Sequence, residues 1–253
     1  MLYRFIKAKI PEIQYLRERE IQGRNTGFFA GSRPDFASAL TMPGPSIIAE
    51  YKRASPSKGI INDSISPESA AAEFLSAGAS AFSVLTEEKY FGGSLSFLNH
   101  FAATGLPVLR KDFIFDPLQV EQTAQTPAAA VLLIVRVIKE ISLLKELVNL
   151  SFSLGLEPVV EIFSGRELYL ARQAEARTLL VNNRDLDSLE IDLDLSSMLI
   201  RKKKPGEIWI CASGIDKSTQ VREFYGLGFE AFLIGTSLMS AASPGDKLRE
   251  LCA

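Results

Sequence analysis

Short apolar runs rich in β-branched side chains recur along the chain, with amphipathic stretches between them. The runs are "IIAEYKR" (47–53), "AFSVLT" (81–86), "LPVLRKD" (106–112), "AAAVLLIV" (128–135), "LEPVVEI" (156–162), "TLLVNNR" (178–184), "EIWICAS" (207–213) and "AFLIGT" (231–236). Their starts lie roughly 22 to 34 residues apart, the spacing of strand–helix units. Within each run the apolar positions are largely continuous rather than alternating. That predicts burial on both faces, as in a parallel sheet covered by helices.

The segments between the runs carry helix punctuation. "SPESAAAEFLSAGAS" offers Ser66 as a cap, an early Glu68, and Gly78 where a helix should stop. "DPLQVEQTAQT" opens with Asp116 as cap and Pro117 in the first turn. "SGRELYLARQAEA" and "DKSTQVREFYGLG" follow the same order. Eight such units predict an α/β fold, a closed (β/α)8 TIM barrel in preference to an open doubly wound sheet. Residues 1–45 are left over. With one amphipathic stretch, about Ile10 to Ile21, and a Gly/Ser/Pro-rich connection, they predict an N-terminal helical extension packed on the barrel, within a single domain spanning 1–253.

Composition narrows the class. The 253 residues are 47% hydrophobic and 23% charged, ordinary for a chain that buries a sizeable core. A net charge of -2 and a pI near 5.7 give no electrostatic reason to expect nucleic acid or an anionic membrane. The one basic run, Arg201 to Lys204, precedes "PG" and reads as a solvated helix end. Two cysteines, Cys211 and Cys252, make neither a disulfide framework nor a metal-ligand spacing. Charges interrupt the N-terminus every few residues, and no run reaches the ~18 apolar residues of a spanning helix. The expectation is a cytoplasmic monomer acting on a small molecule.

Barrel enzymes place their chemistry at the C-terminal ends of the strands. Those ends hold Glu50 and Lys52 on the first, Lys111 on the third, Glu161 on the fifth, Asn182 and Arg184 on the sixth, Ser213 on the seventh, and Gly235 with Thr236 on the eighth. Residues two apart on a strand share a face, so Glu50 and Lys52 point the same way. Charges at the ends of apolar strands are costly to bury unless paired or solvated. Two lysines and two carboxylates around one cavity can shift each other's pKa values to give an acid and a base near neutral pH. His100, in helical "SFLNHFAATG", is expected to be superficial or structural.

Anion chemistry is expected opposite. "ASGIDKS" and "IGTSLM" set Ser213, Gly214, Gly235 and Thr236 just before predicted helix starts, where free N–H groups favour phosphate. The first loop adds Ser55, Ser57 and Lys58, and Phe91 and Phe113 beside the charges can wall an aromatic substrate.

Taken in order, "IIAEYKRASPSKG", "TEEKYFGGS", "LPVLRKDFIFDPLQV", "EPVVEIFS", "LLVNNRDL", "SGI" and "LIGTSLM" resemble the indole-3-glycerol phosphate synthase family over nearly the full chain. The resemblance implies ring closure, decarboxylation and dehydration of 1-(2-carboxyphenylamino)-1-deoxyribulose 5-phosphate, with no metal or organic cofactor. It implies Lys111 as general acid at ring closure and Glu161 in the proton transfers of dehydration. Lys52 would hold the anthranilate carboxylate, and Glu50 would orient the lysines and bind substrate hydroxyls. Asn182, supported by Arg184, would bind polar groups of the substrate. Ser55, Ser213, Gly214, Gly235 and Thr236 would surround the phosphate or the adjacent chain, and Phe91 and Phe113 would border the ring.

One position departs from the resemblance. The family usually reads Ser-Glu-Ser-Gly or Ala-Glu-Ser-Gly at strand seven, whereas this chain reads "CASGI", with Ala212 in place of the carboxylate. The alternative reading is a phosphate-binding barrel with altered or absent turnover. A phosphoribosyl anthranilate isomerase would need a Cys/Asp acid–base pair that no strand end supplies.

Overall fold

A computed structural model describes residues 2–23 and 27–253; Met1 and residues 24–26 of the predicted extension lie outside it. The eight apolar runs are strands, each within about two residues of its predicted start. They are β1 (Ser46–Tyr51), β2 (Ala81–Leu85), β3 (Val108–Lys111), β4 (Ala130–Ile134), β5 (Glu157–Ile162), β6 (Thr178–Asn182), β7 (Ile208–Ala212) and β8 (Ala231–Ile234). All pair in parallel with their sequence neighbours, and β8 returns to β1 through Ser46↔Ala231 to Ala49↔Ile234, closing a TIM barrel.

Continuous apolar strands have two layers to fill. Ile48, Leu109, Leu132, Val159, Leu180, Ile210 and Leu233 pack inside the barrel. Their alternates, among them Ile47, Phe82, Leu133, Val160, Leu179, Trp209 and Phe232, pack beneath the helices. Each such side chain contributes about 1.5–3 kcal/mol by leaving water. The inward face is polar at both ends: Ser46, Glu157 and Thr178 stand at the N-terminal end, where Thr178 Oγ1 donates to Glu157 Oε1 (2.6 Å), and Glu50, Ser83, Lys111, Glu161 and Asn182 stand at the C-terminal end. The apolar layer between them separates the charges of the mouth from the other end.

The predicted caps operate as hydrogen bonds. Ser66 Oγ accepts from the Ser69 N–H (3.2 Å) at the start of helix Pro67–Ser76, and Gly78 past its end takes the left-handed φ of +94° that favours glycine. Asp116 accepts from the Leu118 N–H (3.1 Å), while Gln119 reaches back to the Asp116 N–H (3.2 Å). Helix Ser218–Leu227 differs from expectation: Asp216 does not cap it. Gln220 Oε1 accepts instead from the N–H groups of Asp216 (3.0 Å) and Lys217 (3.1 Å).

The N-terminal helix begins well before the predicted Ile10, spanning Leu2–Ile21 with Pro11 inside it. Its buried residues are Leu2, Phe5, Lys9, Ile13 and Leu16, which follow steps of three and four and so line one face. Lys9 within that stripe disguises it as a broken pattern. The helix crosses the C-terminal side of the barrel. At its start the Leu2 N–H donates to Asp187 Oδ1 (3.2 Å) after β6, and near its end Arg17 pairs with Asp116 (2.9 Å) after β3. Among the described residues no helix is long and apolar enough to cross a membrane. Arg201, Lys202 and Lys204 follow helix Asp194–Ile200 and are exposed, while Lys203 pairs with Glu230.

Candidate active site

At the mouth, inward residues of neighbouring strands rise to one level and meet. Lys52 Nζ lies 2.8 Å from Glu50 Oε1, and Ser83 Oγ donates to Glu50 Oε2 (3.2 Å). Lys111 Nζ stands 3.6 Å from Glu161 Oε2. Glu161 Oε1 accepts from Asn182 Nδ2 (3.2 Å), and Asn182 Oδ1 accepts the Arg184 N–H (3.0 Å). Glu161 is buried, and its Oε2 has no hydrogen-bond partner among the described residues. A buried carboxylate oxygen facing an ammonium across a gap can take or give a proton.

Environment separates the carboxylates. Burial alone would raise Glu50, but Lys52, Lys111 and the Ser83 hydroxyl together hold it below the usual carboxylate range. Burial raises Glu161, and Glu50 adds to that, outweighing Lys111 and Asn182. Burial would lower Lys111, yet the Glu161 and Glu50 carboxylates raise it. Glu50 is therefore the fixed anion, Lys111 a held proton, and Glu161 a carboxyl brought closer to neutrality. Such a split between neighbours marks acid–base sites.

The cavity spans about 1070 Å³ including its open mouth, and Ser55, Ser57, Phe91, Phe113, Arg184, Ser213, Gly214, Gly235 and Thr236 join the ionic group in lining it, whereas Lys58 of the first loop is exposed and does not. On the β7–β8 side, Ser213 and Gly214 line the opening and both take left-handed backbone (φ +68° and +85°). Gly235 starts the turn Thr236–Met239 with no side chain capping it. Ser55 Oγ and Ser57 Oγ lie 3.3 Å apart in the loop after β1, on the lining of the mouth. The Arg184 guanidinium donates to the Leu189 carbonyl (2.8 Å).

The aromatic side holds a residue that the strand-end reading missed. Phe5 from the N-terminal helix stacks on Phe113 (centroids 4.6 Å, 18° between planes) and lies 5.8 Å from Phe91 and 5.2 Å from Tyr90. These rings form one wall continuous with Leu132, Leu186 and Leu233. The only sequence signal for Phe5 was its place on the apolar stripe of a helix whose start was read too late. Ser83, held within β2, was likewise missed, because a serine in an apolar strand reads as filler. His100 lies outside, paired with Glu68 (2.8 Å).

A family model described as indole-3-glycerol phosphate synthase matches residues 4–251. The chain belongs to this family. The synthase of Aquifex aeolicus is 43% identical over 220 residues, covering 86% of this chain and 85% of its own. That of Syntrophobacter fumaroxidans is 40% identical over 249 residues, covering 97% and 91%. Among solved structures, 3-hexulose-6-phosphate synthase from Salmonella typhimurium superposes with a TM-score of 0.65 at 14% identity, covering 82% of this chain and 96% of its own. That likeness is one of fold.

Within an indole-3-glycerol phosphate synthase framework, the departure at Ala212 has a definite place. Ala212 is buried at the end of β7, opposite Asn182 in register, and lines the cavity. A methyl there leaves Glu50 and Glu161 as the carboxylates of the centre. Its neighbour Cys211 points outward, beneath the helices. Asn183 Nδ2 lies 3.4 Å from its sulfur and Ser196 Oγ also 3.4 Å, and burial pushes the thiol up to about 11. A thiol so protonated is not an acid–base catalyst of the synthase cavity.

Proposed function

We propose that this chain converts 1-(2-carboxyphenylamino)-1-deoxyribulose 5-phosphate into indole-3-glycerol phosphate, with loss of carbon dioxide and water. The observation that carries the reading is the Lys52–Glu50 and Lys111–Glu161 pairs meeting between an aromatic wall and a rim of glycines and hydroxyls. The ring would lie on Phe5, Phe91 and Phe113, and the phosphate on Ser213, Gly214, Gly235 and Thr236 with Ser55 nearby. The reacting carbonyl then lies over the ionic centre.

Lys111 donates a proton to the carbonyl oxygen as the aromatic carbon attacks, so the developing alkoxide is neutralised as it forms. Carbon dioxide leaves with its bonding electrons returning to the ring. Glu161 takes the proton lost in dehydration, while a lysine ammonium protonates the departing hydroxyl. Lys52 holds the substrate carboxylate until it leaves. Glu50 pairs with Lys52, helps keep Lys111 charged and meets the sugar hydroxyls, and Asn182 and Arg184 fix polar groups at the rim. A barrel that binds without turnover has no observation in its favour. We infer a single barrel domain working as a monomer. Both cysteines are free, which supports a reducing, cytoplasmic setting.

Mixing the protein with the carboxyphenylamino substrate in a single-turnover experiment should produce indole fluorescence. Folded protein that binds substrate but yields no fluorescence would overturn the assignment. Inorganic phosphate should compete weakly with substrate, and a KM indifferent to high phosphate would refute the rim site.

The direction of the Glu161 shift sets a pH dependence. Glu161 must be ionised to accept its proton, and burial raises its pKa. As pH falls, kcat should therefore drop through a midpoint above that of an ordinary glutamate, and Glu161→Gln should abolish that limb. A kcat profile that is flat down to the ordinary carboxylate range would show that another group is the base.

A further inference from the structure

The reverse face of β3 carries a second cluster of buried charge. With Lys111 turned into the barrel, Arg110 and Asp112 on either side of it face outward. There the other strands offer apolar residues to the helices. Both side chains are fully buried. Asp112 Oδ2 accepts from Thr86 Oγ1 (2.6 Å), Lys9 Nζ (3.0 Å) and Arg110 Nη2 (3.2 Å), and Oδ1 accepts from the Phe113 N–H (2.8 Å). Arg110 also donates to Thr86 Oγ1 (3.2 Å), the Gln119 carbonyl (3.1 Å), Thr123 Oγ1 (2.9 Å) and Glu12 (3.2 Å). Lys9, itself buried, pairs with Glu12 as well.

Apolar residues of similar volume would stabilise this place at least as well, because desolvation offsets most of the attraction within a buried ion network. What the network adds is direction. Several oriented bonds converge on the two residues that bracket Lys111, and they tie β3 to the end of β2 and to the helix crossing the mouth. Asp112 also fixes the backbone at Phe113, the ring that Phe5 of the same helix covers.

We propose that Lys9 and Asp112 are positioning residues for Lys111, through which the N-terminal helix sets how far the ammonium reaches toward the reacting carbonyl. The inference rests on the role of Lys111 proposed above. A misplacement near 1 Å can cost on the order of 100-fold in rate, so loosening one end of β3 should register in kcat before it registers in the fold.

The test compares Lys9→Met, Asp112→Asn and a control, Arg172→Met. Arg172 pairs with Glu207 (2.6 Å) just before β7, at the opposite end of the barrel. Lys9→Met and Asp112→Asn should lower kcat roughly 10- to 100-fold with little change in KM, while Arg172→Met should lower only the melting temperature. The pH profile separates positioning from charge. Asp112 is faced by Lys9 and Glu12 from the N-terminal helix, by Thr86 and Glu87 after β2, and by Arg110 and Lys111 on β3, and its charge helps keep Lys111 protonated. Asp112→Asn should therefore shift the alkaline limb of kcat to lower pH, and Lys9→Met, which removes a cation, should not.

Lys9→Met leaves Asp112 bonded to Arg110 and Thr86, so it remains a fair test if Asp112→Asn fails to fold. Folded Lys9→Met with wild-type kcat would overturn the inference, as would a kcat loss of equal size in Arg172→Met. Absence of turnover in the wild type would remove the proposed function as well; turnover in the wild type with unaffected variants removes this inference alone.

Discussion

Lys111→Ala should reduce kcat by roughly 100- to 10,000-fold, the contribution of a positioned general acid, and leave a folded barrel. Breaking a buried ion pair usually destabilises by about 3–5 kcal/mol because a charge is left behind. Here neither carboxylate is stranded. Glu50 keeps Lys52 at 2.8 Å, and Glu161, already raised by burial, can bind a proton. Loss of the ammonium raises Glu161 further, since Lys111 is the cation that lowers it. A carboxyl whose folded pKa is raised favours the folded state at low pH, and that advantage is lost as pH rises through the folded value. The melting-temperature gap between wild type and Lys111→Ala should therefore widen from acidic to mildly alkaline pH. Rates from single-turnover fluorescence and melting followed by circular dichroism check the two halves separately. Wild-type kcat in a folded variant would remove Lys111 from the mechanism.

Gly235→Ala should be nearly as damaging, for a steric reason. A Cβ built on Gly235 would lie 2.3 Å from Glu50 Oε1, 2.9 Å from its Cδ and 3.0 Å from its Cβ. The backbone φ of -123° lies outside the left-handed region that favours glycine, and all three close contacts are with the Glu50 side chain. Glu50 cannot yield freely, being held by Lys52 and by Ser83 at 3.2 Å. Overpacking of this kind costs about 1–3 kcal/mol in stability. The larger effect falls on rate, roughly 100-fold, because a displaced Glu50 releases Lys52 and weakens the field around Lys111. A Gly235→Ala variant whose kcat and substrate affinity match wild type would show that Glu50 need not occupy this position.

The two substitutions differ in how visible they are from the chain alone. Lys111 announces itself, as a lysine closing an apolar strand. Gly235 reads as turn chemistry or a phosphate rim, and its second duty, leaving room for Glu50 on the adjacent strand β1, arises only from the closure of β8 onto β1. The same holds for Phe5 and Lys9. Both occupy the buried stripe of a helix whose charged members made it look broken, and neither meets its partners until the helix lies across the mouth. Gln220 teaches a smaller lesson of this kind: Asp216 has the right residue type for a cap, but the side chain that reaches the free amides comes from within the helix.

Periodicity, caps and continuous apolar runs dictated eight strand–helix units, because each depends on residues near one another in the chain. The ionic residues at the strand ends were legible for the same reason, since a charge closing an apolar strand is costly to bury and stands out from its near neighbours. Who pairs with whom was settled only by barrel closure and by the docking of the N-terminal helix, which bring together groups as much as 185 residues apart, as with Leu2 and Asp187. Electrostatic shifts and steric clearances depend on distances of a few ångströms between such groups, and no local pattern along a chain encodes them.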